Sequence, residues 1–351
     1  MHYLGEIISI VVALSWTLSA LFFEYAGKKI GSLIVNILRL MFAFVLLGTL
    51  LFFTTGSFLP QNADTNTWIW MILSGLVGFV FGDLCLFYSY ILITARFSQL
   101  LMTLAPPFAA LFGWILLGET LSPMGFVGMA VTLLGIAISV LRRGGKNYSL
   151  NSDTAVENGD DTLVAGGSNL TVVTSYEKDG KARRIIAKLS PNLKLHLPLK
   201  GLLLGIGGAL GQGLGIVLSK QGMNYYSIAA NGTKVANYVP FAATQIRIIT
   251  GTIGFALIIL FTRRLKDFKS GFKDKKALSA TFAGSIFGPF IGVSLSLMAV
   301  QYTNTAVAST IMATTPIIIL IPYVLFYKKK ITPIEVLGAI LSVAGVSLFF
   351  L

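Results

Sequence analysis

Asp83 is the one acid standing well inside an apolar stretch of this 351-residue chain, and two arginines, Arg39 and Arg247, stand in apolar stretches of their own. An ionisable side chain at the centre of a membrane-spanning helix costs roughly 2.5–3.5 kcal/mol on insertion scales, so each needs a partner or a task. Arg39 sits in Leu38-Arg39-Leu40 and Arg247 in Ile246-Arg247-Ile248, at matching depths. Glu24, at the end of the first apolar stretch, and Arg96, just past the third, belong to the layer in which Arg39 and Asp83 could pair. Such a layer suits a gate or a proton-coupling site on one side of a solute path, with Arg247 serving the other. The competing reading is a buried pair that only fixes helix register.

Uncharged polar and aromatic side chains at membrane depth complete a candidate substrate pocket: Trp16, Tyr88, Gln99, Thr103, Gln212, Thr310 and Thr314. Each needs a hydrogen-bond partner there, supplied by a neighbouring helix, by water or by substrate. Pro106 and Pro316 are expected to kink their helices, since proline removes a backbone donor and frees a carbonyl one turn earlier. Kinked helices at matching places in two halves point to a binding site.

The elements that must carry these residues are membrane helices. With 55% hydrophobic and 12% charged residues, the chain has more apolar surface than one soluble core hides. Apolar runs near the roughly 20 residues needed to cross a bilayer fall at about 4–23, 33–53, 68–92, 97–117, 122–141, 200–219, 241–262, 277–299, 305–327 and 332–351. Gly78, Gly82, Pro106, Pro123, Gly128 and Gly135 recur 210 positions later as Gly288, Gly292, Pro316, Pro333, Gly338 and Gly345. The reading is therefore an all-α membrane protein of ten transmembrane helices in two five-helix repeats, residues 1–141 and 199–351. An odd number of spans per repeat makes the second copy enter from the opposite side, so the repeats are inverted. Glycine faces on spans 3 and 8, equivalent in the two copies, are expected to approach each other beside a central cavity.

Lys28 and Lys29, Arg96, the seven basic residues from Arg263 to Lys276, and Lys328 to Lys330 follow odd-numbered spans, while Lys220 and Lys234 oppose the trend. The positive-inside rule then places those loops in the cytoplasm, with both termini outside a cell (inner) membrane. The formal charge of +13 is thereby a topology signal, and no nucleic-acid partner is expected. The linker 142–198 falls on the cytoplasmic side. Its acidic part, Asn151 to Gly167, reads as disordered, and Leu170 to Ser175 with Arg183 to Leu189 flank Asp179-Gly180 as a β-hairpin candidate.

Met1 to Gly5 holds no Lys or Arg, so the first helix is expected to be retained rather than cleaved. Cys85 is the only cysteine, and His2 and His196 lie outside the spans, so no disulfide, metal or other cofactor is expected. No Gly-x-x-x-x-Gly-Lys-Ser/Thr loop occurs, which argues against ATP hydrolysis by this chain. An intramembrane enzyme would want convergent catalytic groups that the spans lack, so the chain is read as a non-enzyme; a sensor acting through its linker is the other alternative. The partners are then a small-molecule substrate and the lipid bilayer, with a homodimer left open.

An apolar span with Pro106 leads to Gly118-Glu119-Thr120-Leu121-Ser122-Pro123 and a helix with Gly128 and Gly135. Pro316 leads likewise to Lys328-Lys329-Lys330-Ile331-Thr332-Pro333, Gly338 and Gly345, with Lys329 where the first copy has Glu119. This pattern resembles the EamA-type modules of the drug/metabolite transporter superfamily and covers the chain except the linker. The resemblance implies ten helices around a central pocket, and secondary transport of an amino acid, sugar or similar polar or amphipathic metabolite by alternating access. Proton coupling through Asp83 is the sharper form; an uncoupled exchanger or facilitator is the alternative.

Overall fold

The computed structural model describes residues 3–118, 123–143, 193–195, 197–302, 311–325, 328 and 331–348. Two compact units are distinguished, residues 1–141 with 195–351, and residues 142–194. Of the second, the described residues are 142–143 and 193–194, which belong to two short strands, β1 (Leu141–Arg143) and β2 (Leu193–Leu195). The acidic segment of the linker and the hairpin expected after it, together with Glu119, Lys329 and Thr310, lie outside the described residues.

The first unit is helical. In chain order it contains α1 (Leu4–Ile30), α2 (Ser32–Thr55), α3 (Thr65–Ser74), α4 (Asp83–Leu101), α5 (Ala105–Leu117), α6 (Pro123–Val140), α7 (Leu199–Ala229) and α8 (Val239–Phe261). There follow α9 (Leu265–Gly271), α10 (Lys275–Ser285), α11 (Ser294–Tyr302), α12 (Thr315–Ile318), α13 (Leu320–Leu325) and α14 (Pro333–Leu348). Among the described residues, six stretches are long and apolar enough to cross a membrane, and Pro123–Ser139, Thr315–Leu325 and Pro333–Leu348 are shorter apolar helices. Large apolar side chains such as Ile7, Phe53, Trp114, Phe261 and Leu337 are exposed, as expected where lipid is the solvent.

One of those stretches, Thr65–Leu116, has 52 residues. At ~1.5 Å per residue it would outrun a ~30 Å hydrocarbon core more than twofold, so it must double back. It does so at Thr94, whose φ of 70° breaks the helix. Ser89 Oγ meets Ser98 Oγ at 2.6 Å and Gln99 Nε2 donates to the Tyr90 hydroxyl at 2.8 Å. Residues nine apart in a straight helix are ~13 Å apart along the axis, so these bonds require a reversal. A positive φ is unfavourable for a β-branched residue. It is held by the Glu24 carboxylate, whose Oε2 accepts the Ala95 N–H at 2.8 Å where the returning helix begins.

α3 and α10 start alike. Asp64 caps the first by accepting the Thr67 N–H at 2.9 Å, and Asp274 caps the second by accepting the Ala277 N–H at 2.9 Å. These hydrogen bonds hold both carboxyls below the usual carboxylate range, led by the Thr67 side chain at Asp64 and by the Ala277 amide at Asp274. Each helix then widens into a π-helical stretch, Gly75–Gly82 or Ile286–Val293, before continuing as α4 or α11. Such stretches are rare and mark functional sites often enough to be noted when they occur twice.

Next to the prolines the α-helical ladder is interrupted: a 3₁₀ turn, Met102–Leu104, with right-handed helical backbone at its ends precedes Pro106 in the first turn of α5, and Pro316 stands in the first turn of α12.

α1 packs on α10 and α11, α2 on α8, α7 on α3 and α4, and α6 on α14. Thr132 Oγ1 donates to the Ser342 carbonyl at 3.4 Å and Ser342 Oγ to the Thr132 carbonyl at 3.5 Å, while Gly135 faces Ser342 and Gly345 faces Thr132. Numbers rise along α6 as they fall along α14, so the two run antiparallel.

The expected meeting of glycine faces is corrected. The face of span 3 packs on α7, with Gly78 against Gly215 and Gly82 against Gly211; the face of span 8 packs on α1, with Gly284 against Phe23, Gly288 against Ser19 and Gly292 against Trp16. Each notch is filled by a first helix rather than by the other notch.

Candidate functional site

Four helical segments converge on a polar cluster. From α2, Asn36 and Arg39 share one face, being three residues apart, and Arg39 Nε donates to Asn36 Oδ1 at 3.0 Å. Asp83 opens α4, directly after the π-helical stretch. Its Oδ2 is ion-paired with Arg39 Nη2, and its Oδ1 accepts from Gln212 Nε2 of α7 at 2.8 Å. Gln212 also donates to the Gly78 carbonyl at 3.2 Å, and Asn36 Nδ2 to the Asp83 carbonyl at 3.3 Å. The closeness of Gln212 follows from sequence: α7 carries Gly211 and Gly215 beside it, so its backbone comes within reach of the π-helical stretch.

Arg247, from α8, completes the cluster. Its Cζ lies 4.4 Å from the Phe79 ring centroid, and Arg39 Cζ lies 5.7 Å from the same ring and 4.6 Å from that of Phe87. Arg39, Asp83 and Arg247 are all at most 5% exposed. Two guanidiniums therefore share one carboxylate, leaving one positive charge in excess. Arg247 does not serve a separate side of the molecule. α2 and α8 pack antiparallel, with Gln245 Nε2 donating to the Phe44 carbonyl at 3.1 Å and Gly251 facing Leu40, so arginines at similar depth from opposite ends meet in the middle.

A second layer lies around the Thr94 reversal. Glu24, 1% exposed, pairs with Lys28, caps Ala95 and accepts the Tyr323 hydroxyl. Arg96 Nη1 is 3.3 Å from Glu335 Oε2, and its Cζ is 4.5 Å from the Phe97 ring centroid and 5.6 Å from that of Tyr323. Beside this pair a cleft of about 10 Å³, room for a single water, is lined by residues that include Ser139, Pro316 and Leu320.

The candidate pocket residues do not assemble in one hollow. Gln212 joins the central cluster. Trp16 fills the Gly292 notch, Gln99 bonds Tyr90, and the hydroxyls of Thr103 and Thr314 bond the carbonyls of Leu100 and Ile311. Tyr88 is exposed, with Nζ of Lys200 from α7 5.1 Å from its ring centroid. Asn36, Phe79, Tyr323 and Glu335 were missed. Asn36 was findable, as an amide one turn from Arg39 in an apolar run; Tyr323 carries no signal distinguishing it from any other aromatic residue.

A model of the EamA-like transporter family matches residues 3–141 and 199–351. An uncharacterized transporter of Archaeoglobus fulgidus is 34% identical over 107 residues, which make up 30% of this chain and 36% of that protein's length. A protein of known crystal structure superposes over 99% of this chain and 98% of its own, with a TM-score of 0.50 at 15% identity, a likeness of fold alone. Matched over both helical regions and carrying its buried charges between them, this multi-pass membrane protein belongs to the EamA-like transporter family.

Proposed function

We propose that this transporter is a secondary carrier in which ten spans form two inverted five-helix halves, residues 1–141 and 199–351, that rock about the Arg39–Asp83–Gln212–Arg247 cluster. The observation that carries this reading is the exchange of contacts between the halves. Thr132 and Ser342, 210 residues apart, bond each other reciprocally, as residues beside a twofold axis would. Their helices are antiparallel, and a twofold that relates antiparallel spanning helices lies in the membrane plane, which inverts one copy relative to the other.

The cargo is a small polar or amphipathic metabolite, moved down its own gradient or against an exchanged solute or ion. The layer of Glu24, Tyr323, Arg96 and Glu335 joins the halves on one face and acts as a gate there. Charge distribution supports odd-numbered loops and the 142–198 linker in the cytoplasm of an inner membrane, with the termini outside. Proton coupling falls to Asp83, the one carboxylate at the centre. A specific observation favours the uncoupled exchanger instead: both Asp83 oxygens are already engaged, by Arg39 and Gln212.

Proteoliposomes test the reading. Solute flux driven by a pH gradient in the wild type, lost in Asp83→Asn at equal insertion, supports coupling; equal flux across pH in both supports exchange. Deleting residues 151–190 leaves flux intact in a carrier, and loss of all flux would favour a sensor built on the linker.

A further inference from the structure

Arg247 is unlike the other buried charges. Among the described residues its guanidinium makes no ion pair, and its buried Nε has no hydrogen-bond partner. The Phe79 ring covers one face at 4.4 Å, and an aromatic face attracts a cation without satisfying its N–H groups. Asp83, the nearest carboxylate of the cluster, has one oxygen bound to Arg39 and the other to Gln212. A buried guanidinium with free donors is costly unless something completes it. Burial between α8, the π-helical stretch and α7 places it where the proposed halves meet, with its Nη2 beside Gly78.

We propose that Arg247 is the anchor for the carboxylate of a singly charged organic anion, which neutralises the one excess positive charge of the central cluster. The inference rests on the carrier reading and names its substrate class. A planar carboxylate matches the guanidinium fork with two parallel hydrogen bonds. Its single charge balances Arg39, Arg247 and Asp83 together, whereas a doubly charged phosphate monoester leaves a surplus of negative charge. Phe79, whose ring lies over Arg247, offers an apolar face to the rest of the solute.

The test uses full-length protein in detergent and in proteoliposomes. Lactate, pyruvate and benzoate are titrated against lactamide, benzamide and glycerol 3-phosphate, reading the melting temperature of wild type, Arg247→Gln and Arg247→Met. At least one carboxylate should raise the wild-type melting temperature with concentration, its amide should not, and the shift should vanish in both variants. Without solute, Arg247→Met should melt no lower than wild type, because it removes an unpaired charge. The inference is overturned if no carboxylate stabilises the wild type, if the amides do so equally, if the phosphate monoester outdoes every carboxylate, if the shift survives in Arg247→Gln, or if Arg247→Met alone melts several degrees lower. Flux separates the two readings. Transport of a neutral solute surviving Arg247→Gln sinks the anchor and keeps the carrier, whereas carboxylate binding without any flux sinks the carrier and keeps the anchor.

Discussion

The two seams that join first helices to π-helical stretches occupy equivalent places and are built in opposite ways. On α7, Gly211 and Gly215 lie against Gly82 and Gly78, so backbone meets backbone: a Cβ placed on Gly211 would be 2.6 Å from Gly82 Cα, and one on Gly215 2.9 Å from Gly78 Cα. On α1, the corresponding faces present Trp16 and Phe23 to Gly292 and Gly284, so rings fill the notches. Chemistry follows the same division. Asp83 stands one residue after Gly82 and meets Gln212; the residue after Gly292 is the apolar Val293. One seam thus holds a fixed polar centre by close backbone contact, and the other is a side-chain interface able to repack. If the halves rock, the α1 seam is the one that gives.

The largest effect in this contrast belongs to Asp83. Asp83→Ala removes the ion-pair partner of the buried Arg39 at the rigid seam and should cost about 3–5 kcal/mol, the loss found when one partner of a buried pair is removed. Val293→Ala, its counterpart, removes two methyl groups from a half-buried side chain and should cost about 1 kcal/mol. Denaturant melts of the purified proteins read the gap; equal losses would make the cluster a passive part of the packing. Next comes Gly211→Ala. Its new Cβ meets backbone atoms that cannot swing away, so a loss of about 1–3 kcal/mol is expected.

Much of this was legible in sequence because glycine and proline record where backbones touch or helices begin. The register of 210 matched the glycines that lie in both π-helical stretches and on both sides of the α6–α14 seam, though not the π form or the pairing itself, and Asp83 could be assigned to Arg39 because charges in apolar runs have few partners to choose from. The first helices escaped that register. Trp16 and Gln212 sit on Gly292 and Gly82 at a separation of 196, hidden because one face is aromatic and the other glycine. The reversal at Thr94 was visible only as a gap between apolar runs, since neither glycine nor proline marks it, and the Glu24 carboxylate that caps Ala95 is 71 residues distant. Arg247 was assigned to the far side because sequence gives depth along a helix and not which helix lies opposite.

Smaller effects probe the yielding seam. A Cβ on Gly284 would lie 2.5 Å from the Phe23 ring, a contact as short as that at Gly211, but the neighbour is a side chain. Gly284→Ala should therefore cost under about 1 kcal/mol, with Phe23→Leu in the same protein recovering the loss, as coupled neighbours do. No second substitution should recover Gly211→Ala, and recovery there would erase the distinction between the seams.

The smallest expected difference lies where the halves are alike. Asp64 and Asp274 cap equivalent helices, and the hydrogen bonds they accept, from Thr67 and from the Ala277 amide, hold both carboxyls below the usual carboxylate range. A depressed folded-state value means that the contribution is present above the unfolded value and is lost as pH falls through the folded one. Melting temperature should thus fall on acidification below about pH 4, and Asp64→Asn with Asp274→Asn should flatten that limb, since an amide still accepts at the cap but does not titrate. The two single variants should flatten it by similar amounts. A strongly unequal response would mean that the asymmetry of the seams extends to the helix starts, and that the halves differ along their whole length rather than only where α1 and α7 dock.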